Sequence, residues 1–110
     1  MIQEKTFAFA VRIVNLSKYL HKHHCDNALR QQLLRSGTSI GANVSEAEQA
    51  QSRPDFISKM SIALKETSET KYWLKLLVAT NYLSENEGNS ILSDCVEIEK
   101  MLTSIIKSSK

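Results

Sequence analysis

SRPDFISKMSIALKETSETKYWLKLLVATNY, residues 52–82, contains no Gly at all and no Pro after position 54. Ser52 supplies a capping hydroxyl, Pro54 sits in the first turn where a missing N–H does no harm, and Asp55 meets the positive helix end. One helix over about 53–81 follows, roughly 40 Å long at about 1.5 Å per residue. At 100° per residue, Phe56, Met60, Ala63, Thr67, Leu74 and Val78 fall on one stripe, and Ile62, Glu66, Glu69, Trp73 and Leu76 on a second. Ser58, Ser61, Lys65, Ser68 and Lys75 occupy the wedge left for water. A helix apolar on two sides has more than one neighbour. It is either central to a bundle or shared with another subunit.

Outward from that stretch, 110 residues with three glycines and one proline suit one domain, residues 1–110, of a few long helices. The first helix is expected over about 3–22 and carries two apolar lines. Phe7, Val11 and Val14 lie on one side, and Phe9, Ile13, Leu16 and Leu20 nearly opposite. A four-helix core needs one line, so the surplus points to self-association. The second helix is expected over about 27–47, capped by Asp26, with Leu29, Leu33, Ile40, Val44 and Ala47 inward. Gly37 and Gly41, four apart, admit a close helix neighbour at about 1 kcal/mol each in lost propensity. The fourth is expected over about 85–107, started by a Ser84–Glu87 capping box, with Ile91, Cys95, Ile98, Leu102, Ile105 and Ile106 inward and KSSK as a tail without structure. Gly88 is expected to weaken its first turn. Loops of a few residues force antiparallel neighbours, so the fold class is all-α, an up-down-up-down four-helix bundle.

A polar line runs beside the core of the second helix: Ser36, Ser39 and Asn43, flanked by Arg35 and Glu46. Close packing with hydrogen bonds to a neighbouring helix explains it best, and a polar site inside the bundle is the functional alternative. If the Glu66–Glu69 stripe is buried, both carboxylates need a cation, and Arg35 is the expected one. Arg35, Ser39, Asn43, Glu46, Glu66 and Glu69 therefore form an expected buried polar network.

Catalytic motifs are missing. Di-iron bundles need Glu-x-x-His on two helices, whereas Glu66 is followed by Glu69 and Glu97 by Lys100. No Arg is followed by a His after four to six intervening residues, and there is no phosphate-cradling glycine loop. His21, His23, His24 and Cys25 have no second Cys/His pair to complete a zinc site, so the segment reads as a helix end and loop. No metal, cofactor, catalytic residue or small-molecule substrate is expected, and the histidines receive no role. Two unpatterned cysteines and no apolar run near 20 residues suggest a reducing cytoplasm and no membrane span.

Net charge is +2, too small to imply nucleic acid by itself. Its distribution is uneven: residues 1–75 hold eleven Lys/Arg against seven Asp/Glu, +4, and residues 76–110 three against five, −2. Arg12, Lys18, Lys22, Lys71 and Lys75 are the candidate phosphate contacts.

LLRSGTSIGANVSEA (33–47) and QSRPDFISKMSIALKETSETKYWLKLL (51–77), with Phe7, Val11 and Val14, resemble the bacterial four-helix-bundle family associated with intervening sequences of large-subunit ribosomal RNA genes. The most specific run is Arg35, Ser36, Ser39, Ile40, Asn43 and Glu46; Lys65 to Leu74 is the second. Ser45-Glu46-Ala47 departs mildly from the family pattern. The resemblance implies the same bundle, a homo-oligomeric ring of five subunits, and no established enzymatic activity. A related branch, the accessory variability determinant of diversity-generating retroelements, binds nucleic acid and a reverse transcriptase through a basic surface. This chain is only weakly basic. A macromolecular partner is expected, with nucleic acid as the alternative role.

Overall fold

The computed structural model describes residues Met1–Lys110. Four helices fill it: α1 (Ile2–Lys22), α2 (Asn27–Ala47), α3 (Arg53–Ala79) and α4 (Glu85–Ser109). They lie side by side in a rod of 44 × 20 × 19 Å, in the cyclic order α1–α2–α3–α4. Adjacent helices run in opposite directions, because contacting residues count oppositely along each pair. Gly37 meets Ile13 and Gly41 meets Thr6 between α1 and α2, while Ser36 meets Thr70 and Glu46 meets Lys59 between α2 and α3. Likewise Gly88 meets Val78, Cys95 meets Thr67, Lys5 meets Glu97 and Arg12 meets Ser90. α1 and α3 stand on a diagonal, with no Cα atoms within 8 Å of each other, and α1 and α4 meet least among the adjacent pairs.

The helix starts follow from local chemistry. Ser52 Oγ accepts the Asp55 N–H at 3.2 Å, Asp26 accepts the Ala28 N–H at 2.9 Å, and Ser84 Oγ accepts the Glu87 N–H at 3.2 Å. Two ends use a left-handed residue. His24 (φ 62) closes α1, with Cys25 N–H bonding Leu20 C=O and His24 N–H bonding His21 C=O; Asn81 (φ 68) closes α3 in the same way, through Tyr82 to Leu77 and Asn81 to Val78. Both are Schellman turns, and His and Asn are among the few side chains that tolerate this backbone. α3 therefore stops at Ala79, two residues before the expected 81. α4 continues through Ser109 instead of fraying into a tail, since Ile106 is buried, Ile105 is half-buried and Ser109 Oγ bonds the Ile105 carbonyl.

On α3 the core residues are Met60, Ala63, Thr67, Thr70, Leu74 and Leu77, at intervals of three and four. This is a heptad seam of period 3.5, the pattern of knobs-into-holes packing. The expected stripe followed a period of 3.6, which drifts by about 20° per heptad. Its ends, Phe56 and Val78, are consequently half-buried, and Thr70 and Leu77 take inner positions.

The glycines have packing reasons. A Cβ on Gly37 would stand 2.8 Å from two Ile13 side-chain atoms, and one on Gly41 would stand 3.2 Å from the Thr6 carbonyl oxygen. Gly88 does not delay α4; it is buried, and a Cβ there would lie 2.3 Å from Val78 Cγ2. Close approach to α3 explains a residue otherwise poor for a helix start.

Candidate interaction surface

α1 carries its two apolar lines as the spacing predicts. Phe9, Ile13 and Leu20 are buried, while Phe7 is 71% exposed, Val11 47% and Val14 37%. Beside Phe7, small residues of α1 and α2 (Ala10, Gly41, Ala42, Ser45) line a groove of about 410 Å³. A second cleft of about 230 Å³ separates α1 from α4, floored by Leu16, Leu83 and Ile91 and edged by Arg12 and Glu87. Neither is lined by Glu66 or Glu69.

The expected buried polar network divides into separate pieces. Arg35 does reach both carboxylates: its guanidinium lies 3.3 Å from Glu66 and pairs with Glu69. That cluster is a surface feature of the α2–α3 edge, with the Arg35 side chain 48% exposed, Glu69 35% and Glu66 14%. The length of Arg35 lets its charged end reach solvent past its apolar stem. Trp73 Nε1 donates to Glu69 at 2.9 Å, which fixes the second carboxylate. Ser39 and Asn43 do not join it. Ser39 Oγ donates to the Arg35 carbonyl at 2.7 Å and Asn43 Nδ2 to the Ser39 carbonyl at 2.8 Å, both satisfied within their own helix. Glu46 is exposed and pairs with Lys59 at 3.0 Å. The buried hydroxyl pair between helices is one that spacing did not reveal: Ser36 and Thr70, both wholly buried, with hydroxyl oxygens 3.0 Å apart. Thr70 falls on a heptad position of α3 directly across from Ser36, and the period of 3.5 is the signal that finds it.

Of the five candidate phosphate contacts, two are occupied. Arg12 pairs with Asp94 at 2.9 Å and donates to Ser90 at 2.7 Å, and Lys71 pairs with Glu99 at 3.0 Å. Lys18 and Lys75 are exposed, as is Lys22, and none of the three forms an ion pair. Lys5, which spacing did not single out, bridges Asp94 and Glu97, and its ammonium is held above the usual lysine range by the Glu97 contact first, against burial, with Asp94 adding to it. Arg30 is the exception among the half-buried cations. It bonds only the neutral Ser17 and Asn27 side chains, and its Nε has no partner.

The histidine segment acquires a structural account. His23 stacks on Tyr19 with ring centroids 4.1 Å apart, His24 supplies the left-handed turn, and Cys25 tucks under the bundle end as the apolar residue of that turn. No three His, Cys, Asp or Glu side chains converge as metal ligands. Cys95 is wholly buried, its Sγ 3.4 Å from the Thr67 carbonyl, and burial pushes its thiol up to about 12. It is a core residue with no nucleophilic character near neutral pH.

Fold and surface together define a small all-helical bundle with an exposed apolar helix face and with no cluster of His, Cys, Asp or Glu placed to hold a metal ion. The chain belongs to the family of 23S rRNA-intervening sequence proteins, whose family model matches residues 1–104. It is 55% identical to a crystallised protein of unknown function from the S23 ribosomal protein family of Bacteroides thetaiotaomicron VPI-5482. That match covers 97% of this chain and 99% of the other, with a TM-score of 0.95. No curated protein matches the sequence. None of the four helices is long and apolar enough to cross a membrane.

Proposed function

We propose that the protein is a non-enzymatic helical scaffold of the cytoplasm, which assembles with copies of itself into a ring of five and presents that ring to a macromolecular partner. The observation that carries the reading is the outer line of α1: Phe7, Val11 and Val14 remain exposed on a helix whose other apolar line fills the core. Contiguous apolar surface of this kind marks an association site. The number five follows from the family resemblance, and the reducing compartment from two buried, unpaired cysteines. An enzyme built on Glu66 and Glu69 has less support, because Arg35 and Trp73 already engage the pair. Nucleic acid as the partner is weakened by the pairing of Arg12 and Lys71 with α4.

Light scattering at micromolar concentration tests the assembly. The expected mass is five times the 12.4 kDa chain, and Phe7→Glu is expected to reduce it to one chain with helix content unchanged. A wild-type protein that runs as a monomer would remove this reading.

A further inference from the structure

We infer that the contact between neighbouring copies joins two different faces, the α1 outer line of one copy and the Ile62–Glu66–Glu69–Trp73–Leu76 stripe of α3 on the next, with Lys18 docking on the Glu66–Glu69 pair. This rests on the self-assembly reading above and specifies its geometry.

The α1 line does not end at Val14. Residues 7, 11, 14 and 18 are spaced four, three and four, so the exposed Lys18 continues the apolar line as its charged end. No carboxylate of its own chain pairs with it. The α3 stripe has the same intervals, and all five of its residues are half-buried. Apolar side chains form its ends and two acids its middle. There two carboxylates share the single Arg35 guanidinium, a formal charge of −1, and Glu66 is only 14% exposed. The pair thus keeps a net negative charge at a partly exposed edge beside Ile62 and Trp73, which a cation of a neighbouring copy can meet. One face is thus apolar with a spare lysine and the other apolar with a spare carboxylate, the complementarity that fixes register and partner.

The placement of the two faces adds a second argument. Phe7 edges the groove between α1 and α2, and Arg35 of α2 holds the acids from the other side, so the faces flank α2 on helices that stand on a diagonal of the bundle. A two-fold dimer joins one patch to itself. Two distinct patches make a head-to-tail contact, the kind of contact that a ring of five is built from when the turn from copy to copy completes a circle.

The test combines Lys18→Glu, Lys18→Arg and carbodiimide crosslinking of the wild type, which links lysine to carboxylate directly. Lys18→Glu is expected to weaken self-association about 30-fold or more, while Lys18→Arg keeps it. The crosslinked oligomer is expected to yield Lys18 joined to Glu66 or Glu69, a link assigned between copies because it appears in the covalent oligomer and not in the monomer band. A wild-type monomer would overturn both this inference and the self-assembly reading. An oligomer indifferent to Lys18→Glu and lacking that crosslink would overturn this inference alone. Should Lys18→Glu lose its helical circular dichroism, the wild-type crosslink decides.

Discussion

The two seams that α1 makes with its neighbours are built on different principles. Against α2, backbone nearly meets side chain: Gly37 receives the wholly buried Ile13, and Gly41 lies against the Thr6 carbonyl. Against α4 the helices meet least, a cleft of about 230 Å³ stays open, and Asp94 gathers Lys5 and Arg12 from across the gap. The first seam depends on shape and dispersion, which fall off within a fraction of an ångström. The second depends on direct ion pairs at the solvent-exposed rim of the cleft, which tolerate displacement and respond to salt. α1 is therefore anchored on its α2 side, and its α4 side is the more deformable one.

The largest test of that contrast is Gly37→Val. The added side chain has nowhere to go but into Ile13, whose atoms already stand 2.8 Å from a bare Cβ, and the expected loss is about 2–3 kcal/mol. Urea unfolding should show it, and the same change in an Ile13→Ala background should recover part of the loss, since the cavity accepts the new methyls. Additive losses in the double variant would mean that Gly37 is needed for some reason other than contact with Ile13.

A smaller effect is expected where α2 meets α3. Ser36→Ala removes one hydroxyl of a wholly buried pair, yet Thr70 keeps the Glu66 carbonyl at 2.8 Å, so the expected loss is about 1 kcal/mol. Adding Thr70→Val replaces the remaining hydroxyl by a methyl of similar shape, but frees the helix of a bond made at little cost; the double variant should lie within about 0.5 kcal/mol of Ser36→Ala. Thermal unfolding of the two variants measures this. A double variant several kcal/mol worse would show that the pair specifies the α2–α3 register.

How much of this was legible depended on which period each helix follows. The four helices, their caps at Asp26, Ser52 and Ser84, and the two lines of α1 are local matters, set by side chains within one turn of each other. Gly37 and Gly41 announced a close neighbour because nothing else justifies glycine in mid-helix, although not which residue would fill the space. Thr70 and Leu77 escaped because the buried seam follows a period of 3.5 and not 3.6, and which period a helix follows is decided by its partners across the bundle. The Arg35–Glu66–Glu69 grouping was legible from charge balance, but its exposure was not, because a stripe at the edge of two helices and a stripe between them have the same spacing. Asp94 was invisible as a hub: its partners lie more than eighty residues away, and no local pattern marks it.

The mildest prediction concerns that hub. Arg12→Ala removes a pair whose members are each more than a third exposed, a setting in which an ion pair contributes about 0.5 kcal/mol. Its informative feature is the salt dependence. Wild type should lose a few tenths of a kcal/mol relative to Arg12→Ala between low salt and about 1 M, where the Debye length shrinks to about 3 Å and the charges no longer reach across the gap. The Gly37→Val deficit should show no such trend, because contact packing carries no charge to screen. Amide exchange distinguishes the seams locally: Arg12→Ala should speed opening along the α4-facing side of α1 and leave the Ile13 region, packed on α2, as protected as before. If instead protection falls uniformly over α1, the helix opens as one unit and the two seams act as one.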